Sequence, residues 1–234
     1  MTFLSPASRL ILSLDVRDRA RAEDLVTRTD GLVGIYKVGL EFAMAGGLAF
    51  AQDMVKDGRC VFLDMKLLDI ANTVAGAVRG AGAMGVSYLT VHAYPQAIAA
   101  AVAARPPGLK IVAVTVLTSL DDADLAEAGY RLSADALVAR RIATATANGA
   151  DAIVCSPKEA ALAKKSGLEV ITPAVRLPED GVGDQKRVAT PQSAIGAGAD
   201  AIVVGRPIIA AADPAEAAQR YVDAIADGLV HRRR

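Results

Sequence analysis

The stretch FLDMKLLDIANTV, residues 62–74, places Asp64, Lys66 and Asp69 at i, i+2 and i+5 inside an otherwise apolar run. Charges enter a buried segment only with partners. On an extended strand Asp64 and Lys66 point to the same side, with Phe62, while Leu63 and Met65 face the other. A carboxylate and an ammonium held in a confined, poorly hydrated space form the kind of perturbed pair found at functional sites. The alternative is a structural ion pair, which is often no better for stability than apolar residues. Lys37, in GIYKVGL, and Asp15, closing RLILSLDV, are candidates for the same cluster. A second set suits an anion. Arg176 and Arg206 offer the bidentate fork that matches phosphate oxygens. Gly205 lets the backbone come close, and Pro207 can open a short helix. No Ser, Cys or His set suggests a nucleophile with its base. No Cys/His cluster has metal-ligand spacing, so no metal site is expected.

These residues need elements to position them. Eight β-branched runs recur at 9–16, 34–40, 59–66, 86–93, 110–118, 151–156, 168–173 and 200–206. Between them lie Ala-rich segments with helical periodicity, many closing on Gly before the next strand, as helix C-caps do. Strand starts are mostly 20 to 30 residues apart, with a longer gap before the sixth. This alternation predicts an α/β chain with a parallel sheet, and eight units predict a (β/α)8 TIM barrel as a single domain over 1–234. An open doubly wound sheet is the runner-up; no G-x-G-x-x-G follows the first strand to support it.

In a barrel the active face is the C-terminal end of the strands. Asp15 ends strand 1, Lys37 stands on strand 2, and Asp64 and Lys66 on strand 3, with Asp69 after it. His92 ends strand 4, Thr118 and Ser119 end strand 5, and Cys155 ends strand 6. Arg176 follows strand 7, and Gly205-Arg206 close strand 8. Barrels often bind phosphate at the loops after strands 7 and 8, which is where both arginines fall. Asp15 and Asp69 each have a local alternative as the N-cap of the next helix. Thr73 lies one turn beyond Asp69 on the same face. His92 reads as structural. The long polar segment AVRLPEDGVGDQKRVATP reads as a closing lid, from which Gln185 could reach a phosphate.

Composition narrows the class. The chain has 234 residues, 53% of them hydrophobic, and 26 basic against 26 acidic residues. Zero net charge gives no electrostatic case for nucleic acid or an anionic membrane, and the terminal HRRR reads as a solvated end. No apolar run is long enough for a transmembrane helix, and no signal peptide is evident. Cys60 and Cys155 sit in apolar runs and read as small core residues of a reducing, cytoplasmic compartment.

Taken together, the blocks LDV, YKVGLE, DMKLLDIANT, VTVLTS, TPAVR, GDQKRVATP and VVGRPI occur in the order seen in one family. The chain resembles the orotidine 5′-phosphate decarboxylases of bacterial type, whose strand-3 signature is D-x-K-x-x-D-I-P-N-T, over nearly its whole length. The resemblance implies conversion of orotidine 5′-monophosphate to UMP and CO2 in pyrimidine biosynthesis, without metal or organic cofactor. It implies that Asp15 and Lys37 hold the ribose, and that Lys37, Asp64, Lys66 and Asp69 form the alternating catalytic network. Lys66 would stabilise the C6 carbanion and protonate it. Thr118 would contact the pyrimidine; Gln185 and Arg206, with Gly205 and Arg176 beside them, would take the phosphate. Asp69, Ile70 and Thr73 would enter the site of the partner in a homodimer. Departures from the pattern are Ala71 for the usual Pro, Leu67-Leu68 for a more polar pair, and Ala174 for Gly.

Three other readings share some of these residues. A Mg2+-dependent phosphosugar decarboxylase or aldolase on the same barrel shares D-x-K-x-x-D, but would need a carboxylate where strand 2 offers Lys37. A Schiff-base aldolase could use Lys66 or Lys37. A non-catalytic phosphate-ligand binder would need no reactive lysine at all.

Overall fold

The computed structural model describes residues 3–181 and 188–232. Eight strands run in parallel: β1 (Leu10–Ser13), β2 (Ile35–Val38), β3 (Val61–Leu67), β4 (Tyr88–His92), β5 (Lys110–Val114), β6 (Ala152–Val154), β7 (Glu169–Thr172) and β8 (Ala201–Val204). Each pairs with the next, and β8 returns to β1 through Leu10↔Ile202, Ile11↔Val203 and Leu12↔Val204. That last pairing closes the (β/α)8 barrel and rules out the open sheet.

Eight main helices among the described residues surround it, seven in the crossovers and the last after β8: α1 (Arg19–Arg28), α2 (Leu48–Lys56), α3 (Ala71–Ala83), α4 (Pro95–Ala104), α5 (Ala134–Ala147), α6 (Ala160–Lys164), α7 (Pro191–Gly196) and α8 (Pro214–Arg232). Asp18 caps α1 by accepting from the Arg21 backbone N–H, and Ser133 caps α5 by accepting from that of Ala136, each satisfying an orphan donor of the first turn. The glycine stops expected from the sequence are present; Gly85 and Gly149 take φ 77° and 74° after α3 and α5. The longer gap before the sixth strand holds an extra helix, Asp122–Glu127, between β5 and α5.

Side-chain alternation divides the core in two. Ile11, Ile35, Phe62, Tyr88, Val112, Ala152, Ile171 and Ala201, one from each strand, form a buried layer inside the barrel. The intervening residues, such as Leu10, Leu12, Leu63, Leu89 and Ile153, join the helices in the outer core. The inner layer is a dry floor beneath the C-terminal mouth. Cys155 is buried as expected; Cys60, expected in the core, is only partly buried, because it precedes β3 at the opposite mouth.

Several strands stop earlier than the sequence suggests. β5 ends at Val114, not Thr118, because its partner β6 ends at Val154; the Thr115 N–H to Val154 carbonyl bond is the last of that ladder. Thr118 and Ser119 therefore stand on the loop above the barrel. For the same reason Asp15, Cys155 and Gly205 lie just beyond their strands rather than on them.

Truncating the floor tests the core assignment. Ile171→Ala is expected to cost about 2–5 kcal/mol, seen as a lower urea midpoint with an unchanged m-value.

Candidate active site

The mouth of the barrel holds a chain of alternating charges. Lys37, whose side chain is only 9% exposed, sits with Nζ 3.2 Å from Asp64 Oδ2 and 3.7 Å from Asp15 Oδ1. Lys66 Nζ lies 2.9 Å from Asp64 Oδ1. Asp64 thus serves one ammonium with each oxygen. It also accepts a 3.0 Å hydrogen bond on Oδ1 from the Thr90 hydroxyl. Ser13 Oγ donates to Asp15 Oδ2 at 2.7 Å and steadies that carboxylate.

Local backbone explains how one strand brings Asp64 and Lys66 so close. The β3–β4 register passes from Leu63↔Leu89 to Leu67↔Val91. Residues 64–66 of β3 therefore face Thr90 alone on β4. Lys66 absorbs the excess with φ +49°, a left-handed conformation for a non-glycine residue. Phe62 and Asp64 face inward, as alternation requires, with Phe62 in the floor layer directly below.

Burial pushes the Asp64 carboxyl up, but Lys37 and Lys66 together outweigh it and hold the group down at about 2. Burial lowers the His92 imidazole, and Arg141 and Lys66 lower it further, so it is neutral near pH 7. Among the described residues His92 feels the network only through charge, Lys66 lowering and Asp64 raising its imidazole.

A cavity of about 290 Å3 opens over this cluster. Its walls include Asp15, Lys37, Asp64 and Lys66 from the first three strands, and Arg176, Gly205 and Arg206 from beyond β7 and β8. Thr118 adds the wall after β5. Arg176 is buried; Nη1 donates to the Val175 carbonyl at 2.8 Å. Arg176 and Arg206 also border one recess with Asp180 and Pro207. Ala174 takes φ +59° in the cavity wall, a left-handed conformation that glycine adopts without strain and alanine does not.

Not every sequence candidate joins the cavity. Asp69, Ile70 and Thr73 are exposed on the outer rim, Ile70 to 71%. The local reading of Asp69 as a helix cap is corrected: Ile70 is the N-cap of α3, and among the described residues Asp69 Oδ1 accepts only from the adjacent Ile70 N–H, at 2.6 Å. Its carboxylate stops one residue short of the first-turn donors. Gln185 lies outside the described residues.

Sequence reasoning missed four contributors. Thr90 and Ser13 bond the carboxylates directly. A Cβ at Gly39 would stand 3.0 Å from Asp15 Oδ1 and 3.1 Å from Lys37 Nζ, so the missing side chain keeps that corner open. Arg141 on α5 donates to the Thr115 carbonyl and to the Tyr130 hydroxyl, and lies over the rings of Tyr94 and Tyr130. One guanidinium thus fastens both ends of the excursion that carries Thr118 and Ser119. For Thr90 a signal was available, since inward alternation from Tyr88 places it at the height of Asp64; for Arg141 there was none in the sequence.

A family model described as "Orotidine 5′-phosphate decarboxylase / HUMPS family" matches residues 8–221. A protein of Afipia carboxidovorans named orotidine 5′-phosphate decarboxylase is 54% identical over 226 residues, covering 95% of this chain and 96% of its own length. One of the same name from Methylorubrum extorquens is 53% identical over 226 residues, covering 95% and 97%. The crystal structure of orotidine 5′-phosphate decarboxylase from Lactobacillus acidophilus superposes with a TM-score of 0.80 at 31% identity, over 92% of this chain and 98% of that one.

The charge chain has an acid signature. Asp64 is held below its ordinary 3.8, so its stabilisation is complete above that value and is lost as pH falls toward about 2. The stability gap between the protein and Asp64→Asn is expected to be pH-independent near neutrality. It should shrink by about 2 kcal/mol between pH 5 and pH 2, read from urea unfolding at stepped pH.

Proposed function

The chain belongs to the orotidine 5′-phosphate decarboxylase / HUMPS family, and from that premise we propose that it decarboxylates orotidine 5′-monophosphate to UMP without a cofactor, using Lys66 as the acid. The observation that carries the proposal is the Lys37–Asp64–Lys66 alternation at the floor of a cavity whose far wall bears Arg176 and Arg206. Loss of CO2 leaves the bonding electron pair on C6 of the pyrimidine, with no neighbouring group to delocalise it well. An ammonium fixed beside that carbon stabilises the charge as it develops, and preorganised charge in a water-poor site is worth far more than in water. The Lys66 proton then passes to C6, and the neutral amine regains a proton from solvent. Asp64 holds Lys66 in place and faces the departing carboxylate.

The remaining roles are those that the family resemblance implies for these positions. Asp15 and Lys37 take the ribose hydroxyls, and Thr118 the pyrimidine edge. Arg206, Gly205 and Arg176 take the phosphate, with Gln185 assigned to the same group by the family pattern. Phosphate binding remote from the reacting carbon can still contribute to kcat when it drives the site together. Lys37 on β2 leaves the magnesium reading without its carboxylate, and an ammonium already paired with Asp64 suits an acid better than a Schiff-base nucleophile.

Asp69, Ile70 and Thr73 serve the neighbouring site of a homodimer in this proposal. Support comes from the rim they occupy: Leu40, Met44, Leu68 and Ile70 expose apolar side chains after the adjacent strands β2 and β3. Such a patch suits burial against a second copy. No helix among the described residues is long and apolar enough to cross a membrane, and the proposed setting is the cytoplasm.

Absorbance of orotidine 5′-monophosphate is expected to fall in the presence of the protein and to do so equally in EDTA. Lys66→Ala should reduce kcat by at least about 10³-fold. A wild-type protein without turnover, or one stopped by EDTA, would overturn the assignment. Mixing Asp69→Ala with Lys66→Ala protein is expected to restore up to about a quarter of the sites, since random exchange leaves one intact site in each mixed dimer. No recovery despite demonstrated subunit exchange removes the shared site.

A further inference from the structure

We propose that Thr90 is a positioning residue for the reaction: its hydroxyl fixes the backbone of Lys66 and the carboxylate of Asp64 together, and so aims the Lys66 ammonium. Thr90 is fully buried on β4. Its Oγ1 accepts the Lys66 backbone N–H at 2.8 Å and donates its own hydrogen to Asp64 Oδ1 at 3.0 Å. The same Asp64 oxygen receives Lys66 Nζ at 2.9 Å. One hydroxyl therefore closes a loop that runs from the Lys66 backbone, through Thr90 and Asp64, to the end of the Lys66 side chain.

The bulge makes this hydroxyl necessary. Three residues of β3 face Thr90 alone, and the regular pairing resumes only at Leu67↔Val91. The Lys66 N–H is met by the Thr90 side chain rather than by a neighbouring strand's carbonyl. A left-handed backbone costs a non-glycine residue about 1–2 kcal/mol and persists where its surroundings over-determine it. Here the bond to Thr90 is the direct restraint on that residue. Only a group that both accepts and donates can satisfy Lys66 N–H and Asp64 at once. Threonine and serine qualify; valine, of nearly the same shape, does neither.

Thr90 touches the network from below and borders neither the cavity nor the arginines. Its loss should leave substrate affinity in place while Lys66 drifts from the reacting carbon, and misplacement on the order of 1 Å can cost about 100-fold. The inference rests on the proposal that Lys66 is the acid, and the experiment separates the two.

Thr90→Val, Thr90→Ala, Thr90→Ser and Lys66→Ala are compared for kcat, KM, UMP affinity by titration, and unfolding midpoint. Thr90→Val is expected to lower kcat about 10- to 100-fold, with KM and UMP affinity within about threefold of wild type. Thr90→Ser should regain most of the kcat although it lacks the methyl group, a rescue that packing alone would not produce. Thr90→Ala removes the hydroxyl without setting a methyl against the Lys66 N–H, and should lose kcat likewise even if Thr90→Val proves too unstable to assay. A folded Thr90→Val or Thr90→Ala with kcat within about twofold of wild type overturns the inference, as does a Thr90→Ser as impaired as Thr90→Val. Turnover retained by Lys66→Ala would instead overturn the role of Lys66 itself.

Discussion

The structure turns on Asp64 and its two lysines. A carboxylate of which 13% is exposed, facing two ammonium groups at 3.2 and 2.9 Å, must satisfy both or leave a charge unpaired in the barrel mouth. Desolvating three charges costs several kcal/mol each, and their mutual attraction does little more than offset that. Apolar side chains in the same places would serve stability as well. On the proposed reaction the network is explained by what it holds ready: a positive charge at a fixed point in a space with little water, which is where electrostatic stabilisation of a reacting group is strongest.

The barrel supplies what such a cluster needs. Below it, one apolar residue from each strand closes the interior, so water reaches the charges only from the mouth. Around it, the loops beyond β5, β7 and β8 bring polar and cationic groups to the cavity wall without adding charge to the floor. The bulge in β3 departs from regular strand geometry where Asp64 and Lys66 meet. A regular strand places residues i and i+2 more than 6 Å apart along its axis, by about 3.3 Å per residue; the irregular turn lets the two side chains converge on one point. Strain here is part of the site's construction rather than an error in the strand.

What the sequence made legible follows from which physical signals are local. Period-two and period-3.6 patterns are local, so eight strands, their helices and the barrel could be read off, as could the inward aim of Asp64. Strand ends are not local. β5 stops at Val114 because its neighbour β6 stops, although the run through Thr118 reads as strand. Thr90 was passed over because a threonine in a buried strand is ordinary; its place opposite the bulge is what gives it Lys66 and Asp64 as partners. Arg141 illustrates the limit more sharply, since its partners Tyr94, Thr115 and Tyr130 come from three separate loops. Asp69 shows the reverse error, in which a plausible local motif, an aspartate before a helix, turned out not to cap it.

Asp69 also bears on how the segment 62–74 is built. Asp64 and Lys66 turn inward at the end of β3, and three residues later the chain is exposed at the rim. An aspartate there, with Leu68 and Ile70 beside it, is poorly placed for a monomer: it caps nothing, forms no ion pair that is seen among the described residues, and sits within an apolar patch. Coverage by a second copy would resolve each of these features at once, since it would bury the patch and give the carboxylate a cationic partner in the facing site. On that proposal the bulge and the short exposed link are two parts of one device, the first turning Lys66 into its own cavity and the second presenting Asp69 to the neighbour's.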